Sequence, residues 1–324
     1  MWQPSASREA LLARQRLYQT IRTYFSQRDV VEVETPYLSV AAVCDPNIEP
    51  MRIEPGRVGG QSTEQHSDQR FLHTSPEYAM KRLLCAGYGD IYQIARVFRR
   101  GEAGRRHNPE FSMLEWYRVG WDDQRLMQEV SELAQAMLAP RYPQLVVEHL
   151  HYADAVERYA GIDVFAASES DIAAKGVELA GQDLQLSRDG WLDVIMSHAV
   201  EPALPVDTLV FIDEFPASQA ALARVMDDQQ GRAVARRFEL YFNGAELANG
   251  YYELTDADEQ RRRFEAEASA HPADQRPLDE HLLAALQHGM PECAGVAMGL
   301  DRLLMMVMNT GSIADVLAFD WSRA

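Results

Sequence analysis

Val97-Phe98-Arg99-Arg100-Gly101-Glu102-Ala103-Gly104-Arg105-Arg106-His107-Asn108-Pro109-Glu110-Phe111, continuing as Ser112-Met113-Leu114-Glu115-Trp116-Tyr117-Arg118, decides how the chain folds. Before it, Ile91, Tyr92, Ile94, Val97 and Phe98 alternate as a strand. Gly101, Gly104 and Asn108-Pro109 mark a loop, and alternation resumes from Glu110 to Arg118. The stretch is therefore a long-looped antiparallel hairpin with arginines and a histidine at its tip. Strand side chains alternate between faces, so Phe111, Met113, Glu115 and Tyr117 share one. That face offers a flat aromatic, a carboxylate and a phenol in a row. Arg99 enters from the first strand, and a guanidinium forks onto phosphate oxygens. An adenine can stack on Phe111 while Arg99 and His107 hold its phosphates. On the residues alone, a surface hairpin with a solvated basic loop fits as well.

Phe-Arg-x-x-Glu, then Arg-His-Asn-Pro-Glu-Phe, then Met-Leu-Glu-Trp-Tyr resembles motif 2 of the class II aminoacyl-tRNA synthetases. Within that class it is most similar to the lysyl-tRNA synthetases. The resemblance implies an α+β catalytic domain, an antiparallel sheet flanked by helices. It extends over nearly the whole chain, about residues 8 to 319, so residues 1–324 are expected to form one such domain without an anticodon-binding domain.

The 324 residues are 47% apolar and 25% charged, a globular composition with a net charge of -18. Such a field opposes a nucleic-acid partner, which calls for a basic footprint. Cys44, Cys85 and Cys293 are widely spaced and match no ligand pattern, as ordinary thiols of a reducing cytosol. Met1-Trp2-Gln3-Pro4 does not open a signal peptide, and the longest apolar run, Leu303 to Met308, is too short to span a bilayer. A cytoplasmic protein with no membrane contact is expected.

Ser5 or Ser7 can cap a helix from about Arg8, with Leu11, Leu12, Tyr18, Ile21 and Phe25 facing a core. Val30 to Thr35 alternates as a strand and stops at Pro36. Helix, strand and proline resemble motif 1, which in the family builds a homodimer. Residues 54–70 read as a mobile loop. Ser75 is a natural N-cap and Pro76 a natural first residue for a helix carrying Met80, Leu83 and Leu84 inward and ending at Gly87. Ser75-Pro76-Glu77 also matches the place where lysyl-tRNA synthetases hold the substrate amine, with Glu77 as its partner; an acid at a helix start is favoured by the dipole in any case. Trp121-Asp122-Asp123 starts a further helix, with Leu126, Val130, Leu133 and Met137 on one side. From about 140 to 205 the pattern weakens; in the family this is an insertion between motifs 2 and 3, and no chemistry is visible in it.

Asn243-Gly244, between Phe238-Glu239-Leu240-Tyr241-Phe242 and Ala245-Glu246-Leu247-Ala248, is a strong hairpin signal. A second Asn-Gly at 249–250 reads as another break before Tyr251-Tyr252-Glu253-Leu254. Glu239, Glu246 and Glu253, seven apart, would form an acidic stripe on a helix; the breaks and aromatics favour strands that bring them toward one site. The segment is similar to that of lysyl-tRNA synthetases. That resemblance implies Glu239 and Glu246 as Mg2+ ligands, Asn249 near the substrate carboxylate, and Glu253 with Glu115 and Tyr117 around the substrate ammonium. A buried ammonium needs opposing carboxylate, and magnesium favours a few hard oxygens.

Gly295-Val296-Ala297-Met298-Gly299-Leu300-Asp301-Arg302 reads as the opening of a buried apolar helix, with Arg302 in its first turn. It resembles motif 3, whose arginine binds the γ-phosphate of ATP. The resemblance thus implies an ATP set of Arg99, Arg100, Gly101, Glu102, His107, Asn108, Phe111, Glu246, Leu247, Gly299 and Arg302, with Arg99 and Arg302 catalytic. It implies a substrate set of Ser75, Pro76, Glu77, Glu115, Tyr117, Asn249, Glu253 and Ala297.

The motif 1 helix begins almost at Met1, so the chain reads as a catalytic core without a tRNA reader, and no stable tRNA binding is expected. Stand-alone cores of this kind are the elongation factor P (R)-β-lysine ligases, which the chain resembles through Glu115-Trp116-Tyr117 and Pro-Ala-Ser-Gln at 216–219. Membership implies that ATP activates β-lysine (or lysine) as the adenylate, which is passed to a lysine side chain of elongation factor P. Two positions depart from the synthetase pattern. Gly101 stands where the motif 2 glutamate is expected, with Glu102 next to it, so either Glu102 takes over or an adenine contact is lost. Ala297 replaces a glycine, and one methyl in a pocket wall shifts selectivity by about 1–3 kcal/mol. Alternatives are an aminoacyl-transferring paralogue acting on tRNA or a small molecule, and a non-catalytic paralogue.

Overall fold

The computed structural model describes residues 2–43, 48–53, 69–270 and 276–324. In chain order the elements are α1 (Arg8–Ser26), β1 (Val31–Glu32), β2 (Leu38–Ser39), β3 (Met51–Ile53), β4 (Arg70–Leu72), α2 (Glu77–Cys85), β5 (Ile91–Phe98) and β6 (Glu110–Val119). Then come α3 (Asp123–Leu138), β7 (Val146–His151), α4 (Tyr152–Ala160), α5 (Glu169–Ala180), α6 (Arg188–Ile195) and β8 (Thr208–Pro216). The remainder is β9 (Val225–Asp227), β10 (Ala233–Phe242), β11 (Ala245–Tyr252), α7 (Ala257–Ala270), α8 (Glu280–His288), β12 (Cys293–Gly299) and α9 (Leu300–Met308). One compact unit holds Met1–Gly120, Leu254–Cys293 and Ala297–Ala324; the other holds Trp121–Glu253 and Ala294–Val296.

In the first unit the expected hairpin is present: β5 and β6 pair antiparallel from Ile91↔Tyr117 to Phe98↔Glu110. β1 joins β5 in parallel through Val31 and Glu32 alone, a shorter strand than the alternation of residues 30–35 predicts. Facing pairs share a side of the ladder, so Gln93, Ala95 and Val97 line up with Glu115, Met113 and Phe111. The opposite side carries Tyr92 and Trp116, and α1 packs there through Phe25, 4.4 Å from the Tyr92 ring and 5.5 Å from the Trp116 ring. Ser7 caps α1 through Ala10 N–H. Leu11 and Leu12, expected inside, are 39% and 36% exposed; Ala10, Ala13, Leu17, Ile21, Tyr24 and Phe25 fill the buried stripe instead. The small Ala10 and Ala13 let the helix lie close, and the two leucines fall on the flank.

The loop expected over 54–70 falls on residues 54–68, which lie outside the described residues; Arg70, assigned to it, opens β4. α2 begins at Glu77 with Pro76 at the cap position, one residue later than the capping pattern predicts, and it ends at Cys85. Ser75 still serves the helix start, since its hydroxyl accepts the Glu77 N–H at 3.0 Å. At the other end of the chain, Cys293–Gly299 is a strand and the helix begins only at Leu300. The reading of Gly295 onward as helix is therefore corrected: the small residues Gly295 and Ala297 sit in a strand, and Arg302 keeps its place in the first helical turn.

The second unit is built on strands in the order β11-β10-β8-β7, with β9 on β10. The region from 140 to 205, where the sequence pattern weakens to short helical pieces between glycines, supplies β7 and α4–α6. Tyr152, Val156, Ile172, Trp191, Ile195 and their neighbours form one buried cluster on the strands. Gly161 and Gly181 end α4 and α5 in the left-handed conformation (φ 72° each).

Asn243 (φ 49°) and Gly244 (φ 67°) make the expected tight turn between β10 and β11. The second Asn-Gly is not a break. Asn249 pairs with Glu239 and Gly250 with Phe238 inside the ladder. Gly250 is needed for space: a Cβ there would meet the buried Phe238 ring at 2.3 Å. Gly250→Ala should therefore lower stability by about 1–3 kcal/mol, read as a lower urea midpoint at unchanged slope.

Candidate active site

The first unit presents the long hairpin face as a floor. Ala95, Val97 and Met113 are buried together with Phe111 and Ala297 beside them. Glu115 lies at one end of this apolar strip and Phe111 at the other. Arg99 has its guanidinium carbon 5.1 Å from the Phe111 ring centre and its Nε 3.5 Å from the Thr74 carbonyl. The expected aromatic and its arginine are thus adjacent.

Glu115 is 1% exposed. Its two oxygens accept from the Ser75 and Tyr117 hydroxyls, each at 2.7 Å. Burial, with the charge of Glu77 next, pushes its pKa up to about 8, against the pull of Ser75, Tyr117 and Lys81. Glu77 lies on the first turn of α2 and meets the buried Lys81 one turn later, Nζ to Oε1 2.5 Å. Lys81 escaped the sequence reading, although its position four residues after Glu77 is a visible signal. The two acids therefore differ: Glu77 has an ammonium from its own helix, while Glu115 is held by hydroxyls. Gln93 faces Glu115 across the ladder, and Thr35 donates to its carbonyl at 2.9 Å.

At the hairpin tip, His107 Nε2 and Arg302 lie 2.6 Å apart. Burial and then the charge of Arg302 lower the His107 pKa, so the ring is neutral and Nε2 accepts from the guanidinium. Arg302 reaches it from the first turn of α9, beginning after Gly299. Gly101 adopts φ 79°, and Glu102 comes to 3.7 Å from Arg99. Not every loop residue joins this group. Arg100 turns away to Glu49 at 2.6 Å, and Arg105 donates to the Gly311 carbonyl at 2.7 Å. Asn108 has both ends of its amide engaged, donating to the Glu110 carbonyl at 2.7 Å and accepting from Trp321 N–H at 2.9 Å.

In the second unit two bulges set the acidic face. Leu240 pairs with Ala248 and Tyr241 with Glu246, so Leu247 has no opposite number. Glu246 and Asn249 are three apart and would face opposite ways on a regular strand; the extra residue turns both to the side of Glu239 and Tyr241. On the other edge of β10, Arg236 and Arg237 together oppose Glu214, which has φ 53°. Arg236 bonds Asp123 at 2.7 Å, while Arg237 bonds Glu239 and the Gln219 carbonyl, the latter at 3.0 Å. The Tyr241 hydroxyl completes the grip on Glu239. Arg237 and Tyr241 were missed by the sequence reading, although both alternate with Glu239 along one strand.

Burial raises the Glu239 pKa, Arg237 draws it down, and the charge of Glu246 raises it again, with a net upward direction. A cation beside Glu239 and Glu246 would relieve that repulsion. Among the described residues no group of three or more His, Cys, Asp and Glu is arranged to hold a metal. Two carboxylates with the remaining sites left to phosphate and water fit magnesium. Asn249 Oδ1 is buried without a hydrogen-bond partner among the described residues. Glu253 follows β11, is buried, and is bridged through its backbone to Ala223.

A sequence profile of the family tRNA synthetases class II (D, K and N) matches residues 2–322. Among curated proteins, three from Pectobacterium carotovorum subsp. carotovorum (strain PC1), Edwardsiella ictaluri (strain 93-146) and Sodalis glossinidius (strain morsitans) are 44%, 45% and 45% identical. In each the match spans 100% of this chain and 98% of the relative, which is named elongation factor P–(R)-beta-lysine ligase. No helix among the described residues is long and apolar enough to cross a membrane.

A cation pairs with Glu115 only when the carboxyl is ionised. Below about 8 a proton occupies it. Affinity for a cationic ligand should therefore rise with pH by about tenfold per unit toward that value and level off above it. Glu115→Gln should abolish the slope and weaken binding about 10- to 100-fold. Titration calorimetry with lysine from pH 6 to 9 checks both.

Proposed function

The chain belongs to the class II tRNA synthetases (D, K and N) and, among them, to the elongation factor P (R)-beta-lysine ligases, and from this we propose that it activates (R)-β-lysine with ATP and transfers it to a lysine side chain of elongation factor P. The observation that carries the reading is the floor from Glu115 to Phe111. Four residues of strand span roughly 13 Å, with a buried acid at one end and an aromatic under an arginine at the other. An extended diamino acid with its ammonium on Glu115 points its carboxylate toward the phosphate end. An ammonium there restores the charge that burial otherwise suppresses on Glu115.

The substrate carboxylate attacks the α-phosphorus of ATP in line, forming the aminoacyl-adenylate and releasing pyrophosphate. Phe111 stacks the adenine, Arg99 stabilises the charge developing at the α-phosphate, and Arg302 with His107 holds the leaving pyrophosphate. Magnesium held by Glu239 and Glu246 would neutralise phosphate charge. Ser75 and Tyr117 orient Glu115; Asn249 serves the substrate carboxylate and Glu253 its ammonium. Pro76 and Glu77 set the start of α2 beside it. Ala297, on the floor, narrows the wall by one methyl where a glycine would leave room. Arg100, Gly101, Glu102, Asn108, Leu247 and Gly299 shape the backbone around the nucleotide. An uncharged acceptor amine then attacks the adenylate carbonyl and expels AMP.

The same reading extends to a cytoplasmic homodimer built through α1 and β1, without stable tRNA binding. The net charge of -18 supports the last point.

Labelled β-lysine or lysine with Mg-ATP should label unmodified elongation factor P, with β-lysine preferred, and leave bulk tRNA unlabelled; label on tRNA instead would refute the assignment. Arg99→Ala should slow adenylate formation by about 10² or more, measured by ATP–pyrophosphate exchange.

A further inference from the structure

Arg14 stands midway along α1, outside every motif that carries the proposed chemistry. It pairs with Asp301 and donates to the Val316 carbonyl at 2.7 Å. Its other terminal nitrogen lies 3.3 Å from the Tyr18 hydroxyl and 3.4 Å from Ser112 Oγ. Asp301 is 1% exposed, and its second oxygen accepts the Ser112 N–H at 2.6 Å. That N–H belongs to the peptide that follows Phe111. The residue after Asp301 is Arg302, whose guanidinium meets His107. One carboxylate therefore ties together α1, the strand at Phe111 and the helix start at Arg302.

We infer that the Arg14–Asp301 pair is a positioning device for the nucleotide, fixing the distance between the aromatic that takes the base and the arginine that takes the far phosphate. The inference rests on the roles proposed above for Phe111 and Arg302. ATP bridges those two points, so their spacing has to be set before it binds; any looseness would be removed at the expense of affinity. The diamino acid does not bridge them, and its end of the floor at Glu115 is held by Ser75 and Tyr117. Arginine suits the task because one guanidinium reaches a carboxylate and a carbonyl at once, which an ammonium on a flexible stem does less well.

A buried ion pair that only stabilised the fold could be exchanged for uncharged groups with little effect. The test uses that difference. Arg14→Ala alone leaves Asp301 buried without its partner and can fail to fold, so the informative variants are the double Arg14→Met/Asp301→Asn and the single Arg14→Lys. Mg-AMPPNP affinity is measured by titration calorimetry and lysine affinity separately, with the melting temperature as a control. The double variant should weaken AMPPNP binding by about tenfold or more while lysine binding stays within about twofold. Arg14→Lys should recover part of the loss. Wild-type AMPPNP affinity in the double variant, or an equal loss for both ligands, would overturn the inference. A wild type that binds AMPPNP but activates no diamino acid would overturn the proposed function and leave this comparison intact. A wild type that binds no nucleotide would overturn both.

Discussion

A buried carboxyl group with no cation bonded to it among the described residues is the constraint around which the first unit is arranged. Glu115 sits on the inner face of a central strand, held by two hydroxyls at 2.7 Å. Hydroxyls satisfy its lone pairs, but they do not supply the charge that an ionised acid needs away from water. The acid next to it is treated differently, because Glu77 receives Lys81 from its own helix. Lys81 acts on Glu115 only through its charge, a pull that burial outweighs. A ligand that brings an ammonium on the end of an aliphatic chain supplies the cation, and the apolar strip of Ala95, Met113 and Ala297 suits that chain.

The nucleotide end follows a related logic with the signs reversed. The loop arginines stand in a protein of net charge -18, and several are already committed. Arg100 is taken by Glu49 and Arg105 by a backbone carbonyl. His107, kept neutral by burial and by its arginine neighbours, bonds Arg302 without adding charge. The loop is thus a less basic surface than a count of its arginines suggests.

Much of this was legible in the sequence because it depends on period. Alternation alone placed Phe111, Met113, Glu115 and Tyr117 on one face, and the register agrees. Asn243-Gly244 marked a turn because both residues tolerate positive φ. What escaped depends on contacts that local pattern does not encode. Asn249-Gly250 has the same letters as the turn, yet its glycine answers to the Phe238 ring across the ladder. Glu246 and Asn249 reach one face only through a bulge, which a strict period of two forbids. Leu11 and Leu12 are apolar at helical positions, but alanines make the closer contact and leave the leucines on the flank. Lys81 and Arg237 escaped although their spacing was visible, because only the fold shows that they are held beside the buried Glu77 and Glu239.

The central claim is that Glu115 holds a proton in the free protein and releases it to solvent when a substrate ammonium binds beside it. Calorimetric binding of lysine at pH 7, repeated in buffers of different ionisation enthalpy, counts that proton directly. The account predicts release of close to one proton per lysine bound, since the carboxyl of the free protein titrates at about 8, and loss of that release in Glu115→Gln. A binding enthalpy independent of the buffer would mean that Glu115 is already ionised before the ligand arrives, and would contradict the account.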